Sequence, residues 1–238
     1  MAQNYFFGKK ALFDAINNFQ TIEVVYLAKS NYFLVKELQE KNINYQIKDN
    51  NWFKQFNDSL NHQNIAFTIK QKEQISQKDL LNQLNKKDSS VVLIVDSIED
   101  PRNFGAILRT CDAFGIDGIF YKKNNQVGIN DLVNKVSMGA TNYLNLCEVA
   151  NLNQIVQKLK ENGYWIYATT LNKQAIPYYK EKFPSKVAII VGNESNGISN
   201  LLIKESDVSI YIPMEGHVQS LNVSVATGIV LSYLKITR

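Results

Sequence analysis

Short, nearly continuous apolar runs recur along the last two-thirds of the 238-residue chain. They are rich in branched aliphatic and aromatic side chains and lie at 91–95, 118–121, 164–168, 187–191 and 208–212. Runs of this kind are typical of strands covered on both faces, as in parallel sheets flanked by helices. Helical patterns occur between them, at 105–114, 152–161 and 223–234. The sequence therefore predicts an α/β domain over residues 91–238.

The first seventy residues show the same alternation on a smaller scale. Helical patterns occupy 11–19 and 32–41, and strand patterns occupy 22–27, 43–47 and 65–69. We expect a separate small α/β unit over residues 1–72, with a mostly parallel sheet. The polar stretch 73–90, with a short helix at 80–84, is predicted to be a linker between the two domains.

Composition limits the class of protein more than it identifies one. A net charge of +4 and a pI near 8.8 permit a polyanionic partner without requiring one. No apolar run approaches the roughly 18 residues that cross a bilayer, and the first residues lack the pattern of a signal peptide. We therefore expect no membrane span and a cytoplasmic location. Cys111 and Cys147 stand alone, which indicates small buried side chains and no metal site.

A polar segment, DSIEDPRNFGAILRT at 96–110, follows the first strong strand. In open α/β sheets, ligands bind at the carboxyl ends of the strands. Asp100 and Pro101 predict a turn, Asn103 is a good helix N-cap, and Arg109 follows within two turns. Taken alone, the segment is more typical of an ordinary strand-to-helix connection than of a binding site.

The strand pattern at 187–191 leads into a second such segment, GNESNG at 192–197. Gly192 and Gly197 would let the backbone approach a ligand closely. The structural alternative is a tight turn into a helix, with Glu194 favoured in the first turn by the helix dipole. The spacing matches neither the dinucleotide fingerprint nor the P-loop, which disfavours a dehydrogenase or an NTPase.

The strand pattern at 208–212 ends at Pro213 and opens a polar loop before the last helix. Ser220 is a candidate N-cap of that helix. His217 lies three residues earlier, so the two side chains could meet on one helical turn, as in a serine hydrolase. No third partner and no nucleophile-elbow pattern accompanies them, which makes this alternative weak.

Taken together, the three segments resemble the ordered motifs of the SpoU (TrmH-type) RNA ribose 2′-O-methyltransferases of the SPOUT superfamily. The motifs are DPRNFG at 100–105 with Arg109, GNESNG at 192–197, and IPM at 212–214 with SLNVSVA at 220–226. The amino-terminal unit resembles the RNA substrate-binding domain that often precedes the catalytic domain, through FGKKAL at 7–12 and HQNI at 62–65. Family members commonly carry glycine where Asn64 stands here.

The resemblance implies a carboxyl-terminal trefoil-knotted methyltransferase domain, a rare exception to unknotted connections. It implies S-adenosylmethionine as cofactor, bound by Gly192, Glu194, Gly197, Ile212, Met214 and Leu221. It also implies a catalytic group composed of Arg109, Asn103, Ser220 and Asn222. Arg109 would act on the ribose hydroxyl, and the other three would position arginine, ribose or cofactor.

The resemblance further implies a homodimer, with the site near the subunit interface, and an RNA substrate held by the amino-terminal unit. The two-unit layout is most similar to members that act on a guanosine of large-subunit (23S) ribosomal RNA, and tRNA is the alternative substrate. His62 is a further candidate for RNA contact, although a structural role is more typical of an isolated histidine before a strand. A non-catalytic RNA-binding relative remains open, and retention of Arg109, Asn103 and Ser220 argues against it.

Overall fold

A computed structural model describes residues 5–17, 20–56, 62–70, 74–193, 196–218 and 220–237. The chain forms two compact units, residues 1–72 and residues 73–238. Within the described ranges, no helix is both long and apolar enough to span a membrane. Both cysteines are buried, as the sequence predicts.

The first unit is built on a sheet with strand order β1-β4-β2-β3. The strands are β1 (Tyr5–Phe7), β2 (Ile22–Ala28), β3 (Tyr45–Lys48) and β4 (Ile65–Ile69). The helices are α1 (Lys9–Asn17), the 3-10 helix Lys29–Leu34, α2 (Val35–Glu40) and α3 (Asn50–Phe53).

The expected mostly parallel sheet is wrong for this unit. Strand β4 runs antiparallel to both β1 and β2, whereas β2 and β3 are parallel. The periodic pattern identified the strands at 22–27 and 65–69, but it carries no information about their direction. Direction is decided by the path of the chain: β4 returns from α3 to pair between β1 and β2.

The second unit contains a sheet with strand order β7-β6-β5-β10-β8-β11-β9, in which every pairing of the described strands is parallel. The strands are β5 (Ser90–Asp96), β6 (Gly118–Lys122), β7 (Leu146–Val149), β8 (Trp165–Thr169), β9 (Ile176–Pro177), β10 (Lys186–Gly192) and β11 (Val208–Tyr211). The five predicted runs are thus confirmed. The sequence prediction missed β7 and β9, which are short.

Helices cover both faces of this sheet, and separate apolar clusters lie on the two sides. The helices are α4 (Gln77–Asn85), α5 (Pro101–Ala113), α6 (Asp131–Val136), α7 (Leu152–Glu161), α8 (Asn200–Glu205) and α9 (Val223–Ile236). Short 3-10 helices occupy Ala140–Asn142 and Tyr178–Lys180. Helix α7 has the predicted bounds, because its apolar stripe and its Asn151 cap are both local signals.

The segment 73–90, predicted to be a linker, includes helix α4. Leu80 and Leu84 are fully buried in one of the two apolar clusters of the second unit. The Leu80 side chain packs over Gly118 of β6, where an added methyl group would lie 3.0 Å from Leu80 Cδ1. Helix α4 is therefore part of the core of the second unit, because its two buried leucines outweigh its polar composition.

Candidate functional site

A cavity of about 380 Å³ opens at the carboxyl ends of β8, β10 and β11. This is the edge at which open parallel sheets bind ligands. Five of the six predicted cofactor residues line it: Gly192, Gly197, Ile212, Met214 and Leu221. The sixth, Glu194, lies outside the described residues. The remaining lining residues are Thr169, Thr170, Leu171, Asn193, Asn196, Ile210, Tyr211, Ser220, Val223, Ala226 and Val230.

Close contact within the chain explains why residue 192 is glycine. A methyl group added there would lie 2.4 Å from the carbonyl carbon and oxygen of Gly197 and 2.5 Å from the nitrogen of Ile198. Asn193 and Gly197 form an antiparallel bridge, with N–H···O distances of 3.0 and 2.9 Å. Gly197 has φ of +66°, which favours glycine. The glycines thus shape the loop itself, beyond the ligand approach that the sequence suggested.

A buried carboxylate anchors this loop to the end of β5. Asp96 is 1% exposed. Its Oδ2 accepts a hydrogen bond from Ser199 N at 2.8 Å, and its Oδ1 forms an ion pair with Lys122 Nζ at 2.9 Å. Burial raises the pKa of Asp96, but the Ser199 hydrogen bond and the Lys122 charge outweigh it and leave the pKa below its ordinary value. Asn193 Nδ2 donates to the Ser97 carbonyl at 2.8 Å, which ties the loop to β5 a second time.

Two of the four predicted catalytic residues meet at the start of α9. Asn222 Nδ2 donates to Asn103 Oδ1 at 2.9 Å. Asn222 is the N-cap of α9, because its Oδ1 accepts from Ser224 N at 2.9 Å. The cap predicted at Ser220 is therefore wrong, and Ser220 is an exposed residue of the cavity lining. Asn222 holds the first turns of α5 and α9 together.

The cap predicted at Asn103 is also wrong. Helix α5 begins at Pro101, with Asp100 accepting a hydrogen bond from Arg102 N at 2.8 Å. Asn103 consequently lies inside the first turn, where its side chain is available to Asn222. A proline at the first helical position and an aspartate before it are the sequence signals for this start.

Arg109 lies exposed on α5 and is not part of the cavity lining. Within the described part of the chain, no carboxylate forms an ion pair with it. Its neighbour Thr110 faces α9, since a methyl group added at Gly228 would lie 3.8 Å from Thr110 Cγ2. The structure thus brings Asn103 and Asn222 into contact, and Ser220 into the cavity, but leaves Arg109 outside the cavity of its own chain.

Thr169, Thr170 and Leu171 are cavity residues that the sequence prediction missed. Thr169 is the last residue of β8, and Thr170 and Leu171 follow it as the predicted segments follow β5, β10 and β11. Only their position after a strand could have identified them from the sequence, because the loops at the carboxyl ends of the strands next to the cavity all contribute to its lining. Their residue types carry no recognisable binding chemistry, so no motif marks them.

Comparison with known proteins decides the family. The profile described as the SpoU rRNA Methylase family matches residues 90–232, which include the whole cavity. The chain belongs to this family. A second profile, described as RNA 2′-O ribose methyltransferase substrate binding, matches residues 5–75 of this SpoU-family methyltransferase.

Known proteins resemble the SpoU-family chain over two-thirds of its length or more. It is 44% identical to an uncharacterized tRNA/rRNA methyltransferase of Mycoplasma genitalium, over 96% of each protein. Among solved structures, the AdoMet-bound rRNA methyltransferase of Sinorhizobium meliloti has a TM-score of 0.72 at 21% identity, covering 98% of this chain and 86% of that one. The TrmH/SpoU tRNA modifying enzyme of A. aeolicus is 33% identical, with a TM-score of 0.59, covering 68% and 81%.

The geometry also bears on the serine hydrolase alternative. Helix α9 begins at Val223, so His217 and Ser220 lie in the preceding loop and do not share a helical turn. Both are exposed, and within the described ranges no hydrogen bond joins them. The spacing argument for a nucleophile and base therefore fails.

The described residues contain no cluster of side chains suited to hold a metal ion.

Proposed function

We propose that this SpoU-family methyltransferase transfers a methyl group from S-adenosylmethionine to a ribose 2′-hydroxyl of RNA, with a guanosine of 23S ribosomal RNA as the first candidate. The cavity at the carboxyl ends of β8, β10 and β11 is the observation that carries the proposal. Its volume lies within the range of small-molecule sites, which is about 300–1,000 Å³. The trefoil knot and a cytoplasmic location stay predictions.

The cavity residues fit this cofactor chemically. Ile212, Met214 and Leu221 offer apolar surface to the faces of an adenine ring, and the backbone around Gly192 and Gly197 offers donors and acceptors to its edge. The bound cofactor would supply an electrophilic methyl group on a sulfonium. The S. meliloti neighbour is an AdoMet-bound rRNA methyltransferase, which supports the assignment.

The residues of this chain then act on the ribose. The guanidinium of Arg109 carries a positive charge and offers several N–H donors in a planar fork. Its role is therefore to hold RNA phosphate and to stabilise the oxyanion that develops on the ribose oxygen. The Asn103–Asn222 pair fixes the helix that carries Arg109, and Ser220 orients the bound molecules from the cavity wall. The ribose oxygen would attack the methyl carbon in line with the breaking carbon–sulfur bond, releasing a neutral thioether, and the hydroxyl proton would pass to solvent water.

We further propose that a second copy of the chain completes the site. One face of α9, with Val223, Ala226 and Val230, lines the cavity. The other face, with Val225 and Ile229, lines an open groove of about 540 Å³ beside Tyr178 and Ile236. A single helix thus separates the cavity from an exposed apolar face. Dimerisation through that face would bring Arg109 of one copy near the cavity of the other.

The dimer is tested by placing a charge in the groove. Val225 is 51% exposed, so Val225→Glu should fold but separate the copies and abolish methyl transfer, as measured by analytical ultracentrifugation and single-turnover rates. Leu201→Glu is the matched control, because Leu201 is 52% exposed and does not line the groove. A Val225→Glu variant that is monomeric and fully active would refute the shared site.

Two observations bear on which RNA is the substrate. The S. meliloti rRNA methyltransferase matches both units of this chain, which favours ribosomal RNA. The A. aeolicus tRNA modifying enzyme has the higher identity over 68% of the chain, which keeps tRNA as the second candidate. Substrate choice would then rest with the amino-terminal unit, through shape and phosphate contacts.

The reaction is tested with tritiated S-adenosylmethionine and RNA from cells that lack this gene. A 2′-O-methyl group makes the adjacent phosphodiester resistant to alkali, because the attacking hydroxyl is blocked. We expect label in an alkali-resistant dinucleotide of ribosomal RNA. Label released as a mononucleotide would indicate base methylation and refute the ribose assignment, whereas label in tRNA would select the second candidate.

A further inference from the structure

Three segments that are distant in sequence meet at one end of the sheet in the first unit. Gly8 N donates to Ile65 O at 3.0 Å, and Lys9 N donates to Gln63 Oε1 at 3.0 Å. Asn31, in the 3-10 helix after β2, donates through Nδ2 to the carbonyls of Gln63 and Asn64 at 2.9 and 3.1 Å. The sequence motifs at 7–12 and 62–65 are therefore parts of one corner, with residues 29–34 as its third side.

The turn at this corner is held in one conformation. Gln63 and Asn64 have φ of 51° and 54°, in the left-handed region that asparagine tolerates better than most residues. His62 supports the turn, since its Nδ1 accepts from Asn64 N at 2.9 Å and its ring stacks on Phe53. His62 therefore has a structural role, and the corner is a rigid base for what it displays.

The corner displays two adjacent aromatic rings to solvent. Tyr32 and Phe33 are each 62% exposed, while Leu34, next in the chain, is 3% exposed and anchors the 3-10 helix in the core. Single exposed apolar side chains are common, but two adjacent rings on a braced turn form a surface. Lys9 Nζ lies 4.9 Å from the centre of the Phe33 ring, so a cation fixes one ring in place.

The two segments that form this side of the corner carry more lysines than acidic residues. Residues 8–13 and 29–36 include four lysines and no acidic residue, and Asp14 and Glu37 follow them directly. All four, Lys9, Lys10, Lys29 and Lys36, are exposed. An apolar protein partner would have to desolvate these ammonium groups, whereas a polyanion would gain by pairing with them.

We propose that Tyr32 and Phe33 form a stacking platform for unpaired bases of an RNA loop, with the four lysines contacting the flanking phosphates. This inference rests on the proposed function, since it assumes an RNA substrate, and it adds that the amino-terminal unit recognises single-stranded nucleotides. Aromatic faces bind unpaired bases by stacking. Inside a duplex each base is stacked between its neighbours and only the terminal pairs expose a face, so the rings favour a loop with several unpaired bases.

The test compares two RNA probes with the full-length chain. Fluorescence anisotropy would give dissociation constants for a labelled hairpin with a long unpaired loop and for a blunt duplex of the same stem. Stacking on one aromatic ring is worth about 1–3 kcal/mol, so Phe33→Ala should weaken hairpin binding by about 5- to 150-fold. Duplex binding should stay unchanged, and Phe33→Tyr should restore the hairpin affinity.

Trp165→Ala is the matched control, because Trp165 is an exposed aromatic residue, 51% accessible, in the second unit. An equal loss in this control, an equal loss for the duplex, or unchanged hairpin binding in Phe33→Ala would each overturn the inference. Self-association that Phe33→Ala abolishes would assign the rings to a second copy and also overturn it. If the wild type methylates RNA while Phe33→Ala binds the hairpin normally, only this inference fails; a wild type that methylates no RNA refutes the proposed function.

Discussion

Gly192→Ala should damage the cavity loop through steric conflict with the backbone of the same chain. The new methyl group would lie 2.4 Å from the Gly197 carbonyl, whereas ordinary contacts begin near 3.4 Å, so one strand of the loop must move by about 1 Å. That shift would break the two hydrogen bonds between Asn193 and Gly197. Two lost hydrogen bonds plus overpacking correspond to a destabilisation of about 2–6 kcal/mol.

For a unit of this size, such a loss lowers Tm by roughly 4–24 °C. Differential scanning calorimetry of the full chain measures it, and titration calorimetry with S-adenosylmethionine should show weakened binding, because the displaced peptide lines the cavity. Gly128→Ala is the control, since a methyl group there meets no atom within 4 Å. A Gly192→Ala protein with the Tm and cofactor affinity of the Gly128→Ala protein would refute the steric argument.

Three further changes test the Asp96 anchor, the proposed role of Arg109 and the helix at 77–85. Asp96→Asn should cost about 1–3 kcal/mol near neutral pH, because Lys122 loses a buried partner yet stays 30% exposed. The pKa of Asp96 is lowered in the folded state, so the stability that its ionised form contributes is present above the ordinary carboxyl pKa of about 4 and is lost as pH falls through the folded-state pKa. Urea unfolding of the wild type and Asp96→Asn should therefore show a smaller difference in unfolding free energy at acidic than at neutral pH. Arg109→Ala should reduce single-turnover methyl transfer by on the order of 10²–10³ with cofactor affinity unchanged, and Arg102→Ala, an exposed arginine on the same helix, is the control. Leu80→Ala should destabilise the second unit by about 2–5 kcal/mol in the same urea assay. An unchanged free energy of unfolding would mean that residues 77–85 belong to a linker and not to the core.

The local patterns predicted much of the second unit. Five apolar runs predicted five strands, and helix α7 was predicted with its observed bounds, Leu152–Glu161. Both predictions succeeded because burial on both faces of a strand and helical periodicity can be recognised from residues that are close together in the sequence. The resemblance of the motifs at 192–197 and 212–226 to the SpoU family located two of the three cavity loops from the order of residues alone. The sequence by itself therefore determined the fold class and the family.

Tertiary structure decided what depends on contacts between distant segments. The antiparallel placement of β4, the burial of Leu80 and the pairing of Asn222 with Asn103 each join parts of the chain that no local window contains. The strict requirement for glycine at 192 likewise arises from the peptide of Gly197, which folds back against it. Hydrophobic periodicity indicates which residues are buried. Their packing partners are determined only by the tertiary fold, which brings distant segments into contact.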